Sequence, residues 1–192
     1  MIKKERATQE TQISISIDDK KSFKESQIST NVGFFDHMLT LLSFHSELYL
    51  DVKADGDNAV DDHHTVEDVG IILGQLIREL YTEKQSYQRY GTTYIPMDES
   101  LARVVLDLSG RPHLNFQAEF SKEKVGNFDT ELVMEFFNAL SMNSRMTLHV
   151  DLLKGGNTHH EIEAVFKAFS RSLKAALAPS ESGIPSSKGV IE

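Results

Sequence analysis

The 192-residue chain contains no cysteine. That excludes a disulfide framework and any metal site built on thiolate sulfur. It has no excess of positive charge either: 20 lysines and arginines stand against 29 aspartates and glutamates, a net charge of −9. Nothing in the bulk therefore draws it to nucleic acid or to an anionic membrane, and an anionic ligand would need a local cationic pocket. No apolar run approaches the length of a membrane span, and the opening MIKKERATQE holds no apolar stretch of the signal-peptide kind. The expected address is the cytoplasm. What is present is ordinary globular composition, 40% apolar and 26% charged, long enough to bury a sizeable core.

Periodicity reads as one plan written twice. TQISISI (11–17) alternates like a half-buried strand, and SFKESQIST (22–30) continues more weakly. DHMLTLLSFHS (36–46) reads as a short helix with Asp36 at its N-cap, ELYLDVKA (47–54) as a strand, and His63 to about Tyr81 as an amphipathic helix. In the second half SLARVVLDLS (100–109), HLNFQAEF (113–120) and RMTLHVDLL (145–153) read as strands. DTELVMEFFNALSMNS (129–144) reads as a helix capped by Asp129, and a last helix begins near Thr158, whose spacing to Glu161 is that of a capping box. LLSFHSELYLDV (41–52) lies over ALSMNSRMTLHV (139–150) at an offset of 98, pairing Leu42 with Leu140, Ser46 with Ser144 and Val52 with Val150. The expected fold is α+β: a tandem duplication of a ββαβα half-domain, each with helices on one face of a mixed sheet. The first repeat covers 1–92 and the second 93–192.

The chain has eight histidines, and four of them fall in two copies of His-His-x-x-Glu, in DDHHTVED (61–68) and NTHHEIEA (157–164). On a helix, residues four apart share a face while neighbours point about 100° apart. His63 with Glu67, and His159 with Glu163, can each grip one ion, whereas His64 and His160 look elsewhere. Two such helices can then serve two sites reciprocally. His37 lies at offset 98 from Glu135 and adds one further ligand to each site. The sets are His37, His64, His159 and Glu163 around one ion, and His63, Glu67, Glu135 and His160 around the other. Imidazole with carboxylate and no sulfur suits Mn²⁺, Fe²⁺, Co²⁺ or Zn²⁺. His113 and His149, on strands, read as packed or surface groups.

The stretches FFDHML, DDHHTVEDVG, LDLSGRP, TLHV, HHEIEAVFKAFSRSL and IPSSKG, in this order, resemble the imidazoleglycerol-phosphate dehydratase family of histidine biosynthesis. The similarity extends from RATQET to the C-terminus. It implies dehydration of D-erythro-imidazole-glycerol phosphate to imidazole-acetol phosphate, two Mn²⁺ ions per active site on the eight residues above, and an assembly of 24 identical subunits with metal sites at subunit interfaces. It implies substrate contacts from Glu10, His45, Arg89, Arg111, Lys167, Ser186, Ser187 and Lys188, and an acidic residue near the reacting centre at Asp98. Two positions depart from the family pattern. Some members have histidine where this chain has Glu135, and many have a glutamine near the substrate phosphate where this chain has Leu41.

The chemistry explains the need for two ions. The proton to be removed sits on a carbon that no carbonyl activates, and the substrate's own ring can act as the electron sink if metals bind its nitrogens. Cations on both ring nitrogens favour an imidazolate, which can expel the hydroxyl through a diazafulvene-like intermediate. Glu10 and Asp98 are the acid–base candidates; read without the resemblance they are a strand polar position and a turn residue. Lys167 follows Glu163 by four residues, so it can equally form a salt bridge with it. The segment 178–189, rich in Pro, Gly and Ser, is expected to order over bound substrate. Two rivals remain: a binuclear metallohydrolase acting on a small phosphoester, and a non-catalytic metal-dependent assembly.

Overall fold

The computed structural model describes residues 1–181 and 183–186. The first half runs β1 (Ile2–Ala7), β2 (Thr11–Asp18), a turn of 3₁₀ helix at Phe23–Glu25, β3 (Gln27–Ser29), α1 (Gly33–Ser46), β4 (Tyr49–Gly56) and α2 (His63–Thr82). The second runs β5 (Tyr90–Met97), β6 (Ser100–Asp107), β7 (His113–Gln117), a small hairpin of β8 (Lys124–Val125) and β9 (Phe128–Asp129), α3 (Glu131–Ser144), β10 (Thr147–Lys154) and α4 (Thr158–Leu177). The sheets are ordered β1-β2-β4-β3 and β5-β6-β10-β7. Each has two antiparallel pairings and then a parallel one. A parallel pair needs a crossover, and α1 and α3 supply it in their respective halves. The duplicated α+β plan is thus present at the level of topology.

Each four-stranded sheet carries one strand more than periodicity announces, and the second half adds the β8–β9 hairpin. β1 and β5 are edge strands. β1 is IKKERA, with charge on both faces, and β5 includes Pro96, which an edge tolerates because its missing N–H need not pair. The expected N-caps also shift. α1 starts at Gly33, three residues before Asp36, whose carboxylate instead accepts from the Thr30 backbone N–H (2.8 Å) and hydroxyl (2.6 Å). α3 is capped at Thr130 rather than Asp129. At α4 the cap is Asn157, whose side-chain oxygen accepts from the His159 N–H at 3.0 Å. Thr158 lies inside the helix, and Glu161 reaches back to the Gly156 N–H at 2.7 Å. A side-chain amide oxygen caps at least as well as a threonine hydroxyl, so the boundary moves by one residue.

The helices face inward from both sheets and meet, α1 on α4 and α2 on α3. One continuous core results: Ile13, Ile15 and Ile17 of β2 and Ala102, Val104 and Leu106 of β6 all point into it. Phe136 and Phe137 of α3 pack on Phe166 and Phe169 of α4 with ring centroids 5.0–5.4 Å apart. Each such buried ring contributes about 1.5–3 kcal/mol. Gly70 and Gly74 let α2 approach α3 closely: a Cβ at Gly74 would lie 2.5 Å from the Leu140 carbonyl oxygen. This packing sets both His-His motifs in the first turns of α2 and α4, directly after β4 and β10.

Candidate active site

Where α1 crosses α4, three predicted ligands converge. His37 Nε2 stands 2.8 Å from Glu163 Oε1, and His159 Nε2 stands 3.2 Å from the same oxygen. Lys167, one turn further along α4, brings its ammonium 2.5 Å from Glu163 Oε2 and 3.3 Å from Met97 Sδ. Glu163 is buried. Burial alone would raise its pKa, but Lys167, His37 and His159 outweigh it and hold the carboxyl at about 2. Two imidazole nitrogens around one ionised, buried carboxylate, with no sulfur, form a donor set that fits a borderline divalent ion. The i,i+4 salt bridge of Lys167 is formed as well.

The second set is looser. His63 Nε2 lies 3.9 Å from Glu67 Oε2 on α2. Glu135 is half-buried on α3, the helix that packs against α2. Among the described residues, the only groups of three ligand types with atoms within 4.8 Å of one another are His37, His159, Glu163 and Asp98, Glu99, His160. His64 and His160 therefore diverge from their neighbours as the helix pitch requires. His64 Nδ1 is 3.1 Å from both carboxylate oxygens of Asp57. His160 Nδ1 is 3.3 Å from both of Glu99 and 3.7 Å from Asp98 Oδ2. Asp57 raises the pKa of His64, against the effect of burial, and Glu10 adds to the rise with its Oε2 3.8 Å from Nε2. Glu99 is held at about 2, first by the Asn157 backbone N–H.

Asp57 and Glu99 were not among the sequence candidates. A signal for Glu99 existed: Glu99-Ser100 opens β6 as Glu10-Thr11 opens β2. Asp57, in the loop between β4 and α2, carried none.

The cationic residues separate into two groups. Lys167 and Arg171 of α4 face half-buried His45 of α1, whose pKa is lowered by burial and then by those two charges. Arg89 is buried at a left-handed position, φ 70°. Its guanidinium donates to both carboxylate oxygens of Asp107 (2.7 and 3.1 Å) and to the Pro185 carbonyl (2.6 Å). Arg111 is exposed after β6, and Leu41 packs at the edge of the core. Ser186 is half-buried; Ser187 and Lys188 lie outside the described residues.

Paired helices that present His/Glu sets beside a bank of cations, on a duplicated α+β frame, fit the class of small-molecule enzymes, with a donor set suited to a divalent ion. Known proteins narrow this class. Residues 30–173 match the family model described as imidazoleglycerol-phosphate dehydratase. The chain is 63% identical over 191 residues to the imidazoleglycerol-phosphate dehydratase of Staphylococcus carnosus, covering 99% of this chain and 98% of that protein. A crystal structure of the enzyme from Staphylococcus aureus subsp. aureus matches with a TM-score of 0.83 at 56% identity, over 94% of this chain and 100% of that one. One from Pyrococcus furiosus matches with a TM-score of 0.85 at 36% identity, over 97% and 99%. The chain belongs to the imidazoleglycerol-phosphate dehydratase family. It is an enzyme, a hydro-lyase.

Proposed function

We propose that the protein dehydrates D-erythro-imidazole-glycerol phosphate to imidazole-acetol phosphate in histidine biosynthesis, using two Mn²⁺ ions at each active site. Family membership supports the reaction. The observation that carries the metal reading is the convergence of His37, His159 and Glu163, from opposite halves of the chain, on one point. His37, His159 and Glu163 would hold one ion with His64, and His63, Glu67 and Glu135 the other with His160. When bound, the ions would supply Lewis-acid pull on the two ring nitrogens of the substrate. One copy of the chain leaves His64 and His160 outside the sets they complete, so we assign that fourth ligand to another copy. This accords with a homo-oligomer of 24 subunits.

The remaining groups act on the substrate directly. The Glu10 carboxylate sits on the Nε2 side of His64, beside the ring's reacting carbon in this reading, and moves the proton; Asp98 is the alternative at the equivalent turn. Lys167, His45, Arg89, Arg111, Ser186, Ser187 and Lys188 serve the phosphate, with the tail closing over it to exclude water. Among the described residues no helix is long and apolar enough to cross a membrane, and we place the enzyme in the cytoplasm. The test is metal analysis beside a dehydratase assay on the parent, His64→Ala and His160→Ala. Each variant should lose one ion per chain and its turnover. Full turnover in the metal-stripped parent, or phosphate release in place of a ketone product, would overturn the reading, the latter in favour of a metallohydrolase.

A further inference from the structure

We infer that Asp57 and Glu99 are the positioning carboxylates for His64 and His160, each holding its histidine as the Nδ1-protonated tautomer with the Nε2 lone pair turned outward. This rests on the metal reading above. An ionised carboxylate offers only acceptors, so an imidazole Nδ1 centred between its two oxygens must carry the proton. At 3.1 Å from both oxygens of Asp57 and 3.3 Å from both of Glu99, the two Nδ1 atoms meet that condition. A ligating histidine is commonly oriented in this way through its other nitrogen, which fixes the ring plane and raises the basicity of the metal-facing one.

The two carboxylates do not occupy equivalent positions in the duplication. The counterpart of Asp57 at the end of β10 is Gly155, 98 positions on. A Cβ there would collide with Oε1 of Glu161, which is engaged by the Gly156 N–H. A glycine offers no carboxylate, and the second half draws one from the β5–β6 turn instead. The Glu99 side chain is anchored there by the Asn157 backbone N–H at 2.7 Å. The counterpart of Glu99 is Glu10, 89 positions earlier, at the start of β2. Because Asp57 already occupies Nδ1 of His64, Glu10 is released to the opposite side of that ring, 3.8 Å from Nε2. One duplicated glutamate positions a ligand; the other faces the ion side. This asymmetry assigns the proton-transfer role to Glu10 and a supporting role to Glu99.

The test uses the full-length metal-stripped protein and its variants Asp57→Ala, Asp57→Asn, Glu99→Ala and Glu99→Gln. Histidine ¹⁵N spectra report the tautomers without any ion, and calorimetry with Mn²⁺ alone reports affinity. Each alanine variant should lose the Nδ1-protonated form at one histidine and bind Mn²⁺ about 10–100-fold more weakly at one site. The amide variants, which keep an acceptor for Nδ1–H, should recover most of both. Glu99→Ala also removes the acceptor of the Asn157 N–H, so the Asp57 variants, which leave that contact intact, read ligand orientation by itself. Unchanged tautomers and affinities in both alanine variants would sink this inference alone. A parent that takes up no Mn²⁺ would sink the metal reading and this inference together.

Discussion

His37 and Glu163 are 126 residues apart in the chain, and their side chains meet at 2.8 Å. The contact joins α1 of one half to α4 of the other, and the buried carboxylate it engages is shared with His159 and Lys167. Glu163→Gln keeps the shape and removes the charge. Metal content after dialysis is expected to fall by one ion per chain, with Lys167 left without its carboxylate. Unchanged stoichiometry by elemental analysis would remove Glu163 from the ligand set.

Glu10→Gln separates chemistry from metal binding. If Glu10 moves the proton, turnover should fall by about 10²–10⁴-fold, the usual worth of a positioned acid or base. Ion content should stay full, because the residue lies beyond the ligand sets. Near-normal turnover would reject it as the proton-transfer group and leave Asp98 to be tested by the same pair of measurements.

His45 reports on the proposed phosphate pocket. Its pKa is pulled below 6.5 by burial and by Lys167 and Arg171. A histidine whose folded pKa is depressed binds fewer protons than its unfolded counterpart. It therefore disfavours the folded state increasingly as pH falls below 6.5, and this effect vanishes above 6.5. An anion bound between Lys167 and Arg171 would cancel their repulsion. Inorganic phosphate should shift the His45 titration upward in an NMR experiment, and Arg171→Gln should reproduce part of the shift without phosphate. A titration indifferent to phosphate would move the anion site elsewhere.

The crossing of α2 on α3 depends on a missing side chain. Gly74→Ala places a methyl 2.5 Å from the Leu140 carbonyl oxygen and 2.9 Å from Cβ of Asn143. Overpacking of this kind costs about 1–3 kcal/mol, or roughly 2–4 °C in melting temperature for each kcal/mol in a chain of this size. Because the crossing also sets α2 against Glu135 on α3, ion affinity should weaken along with stability. Chemical denaturation and calorimetry read the two effects separately.

Much of the fold was legible from local pattern. The amphipathic runs after His63 and Thr158 are α2 and α4, and the offset of 98 between TLLSFHS and NALSMNS is the offset between α1 and α3. β1 and β5 escaped because an edge strand buries too little to impose alternation. The helix caps escaped because several polar side chains compete within two or three residues of each boundary.

The His-x-x-x-Glu pairing, the divergence of adjacent histidines and the twofold repeat were decided by the sequence alone, since 3.6 residues per turn places those side chains whatever surrounds the helix. Only the tertiary structure decided which groups meet them. The packing of the loops gave His64 an aspartate from the β4–α2 loop and His160 a glutamate from the β5–β6 turn. Arg89 was likewise captured by Asp107 and by a carbonyl 96 residues away. Contacts between distant segments depend on how the whole core packs, and no short window of residues contains that information.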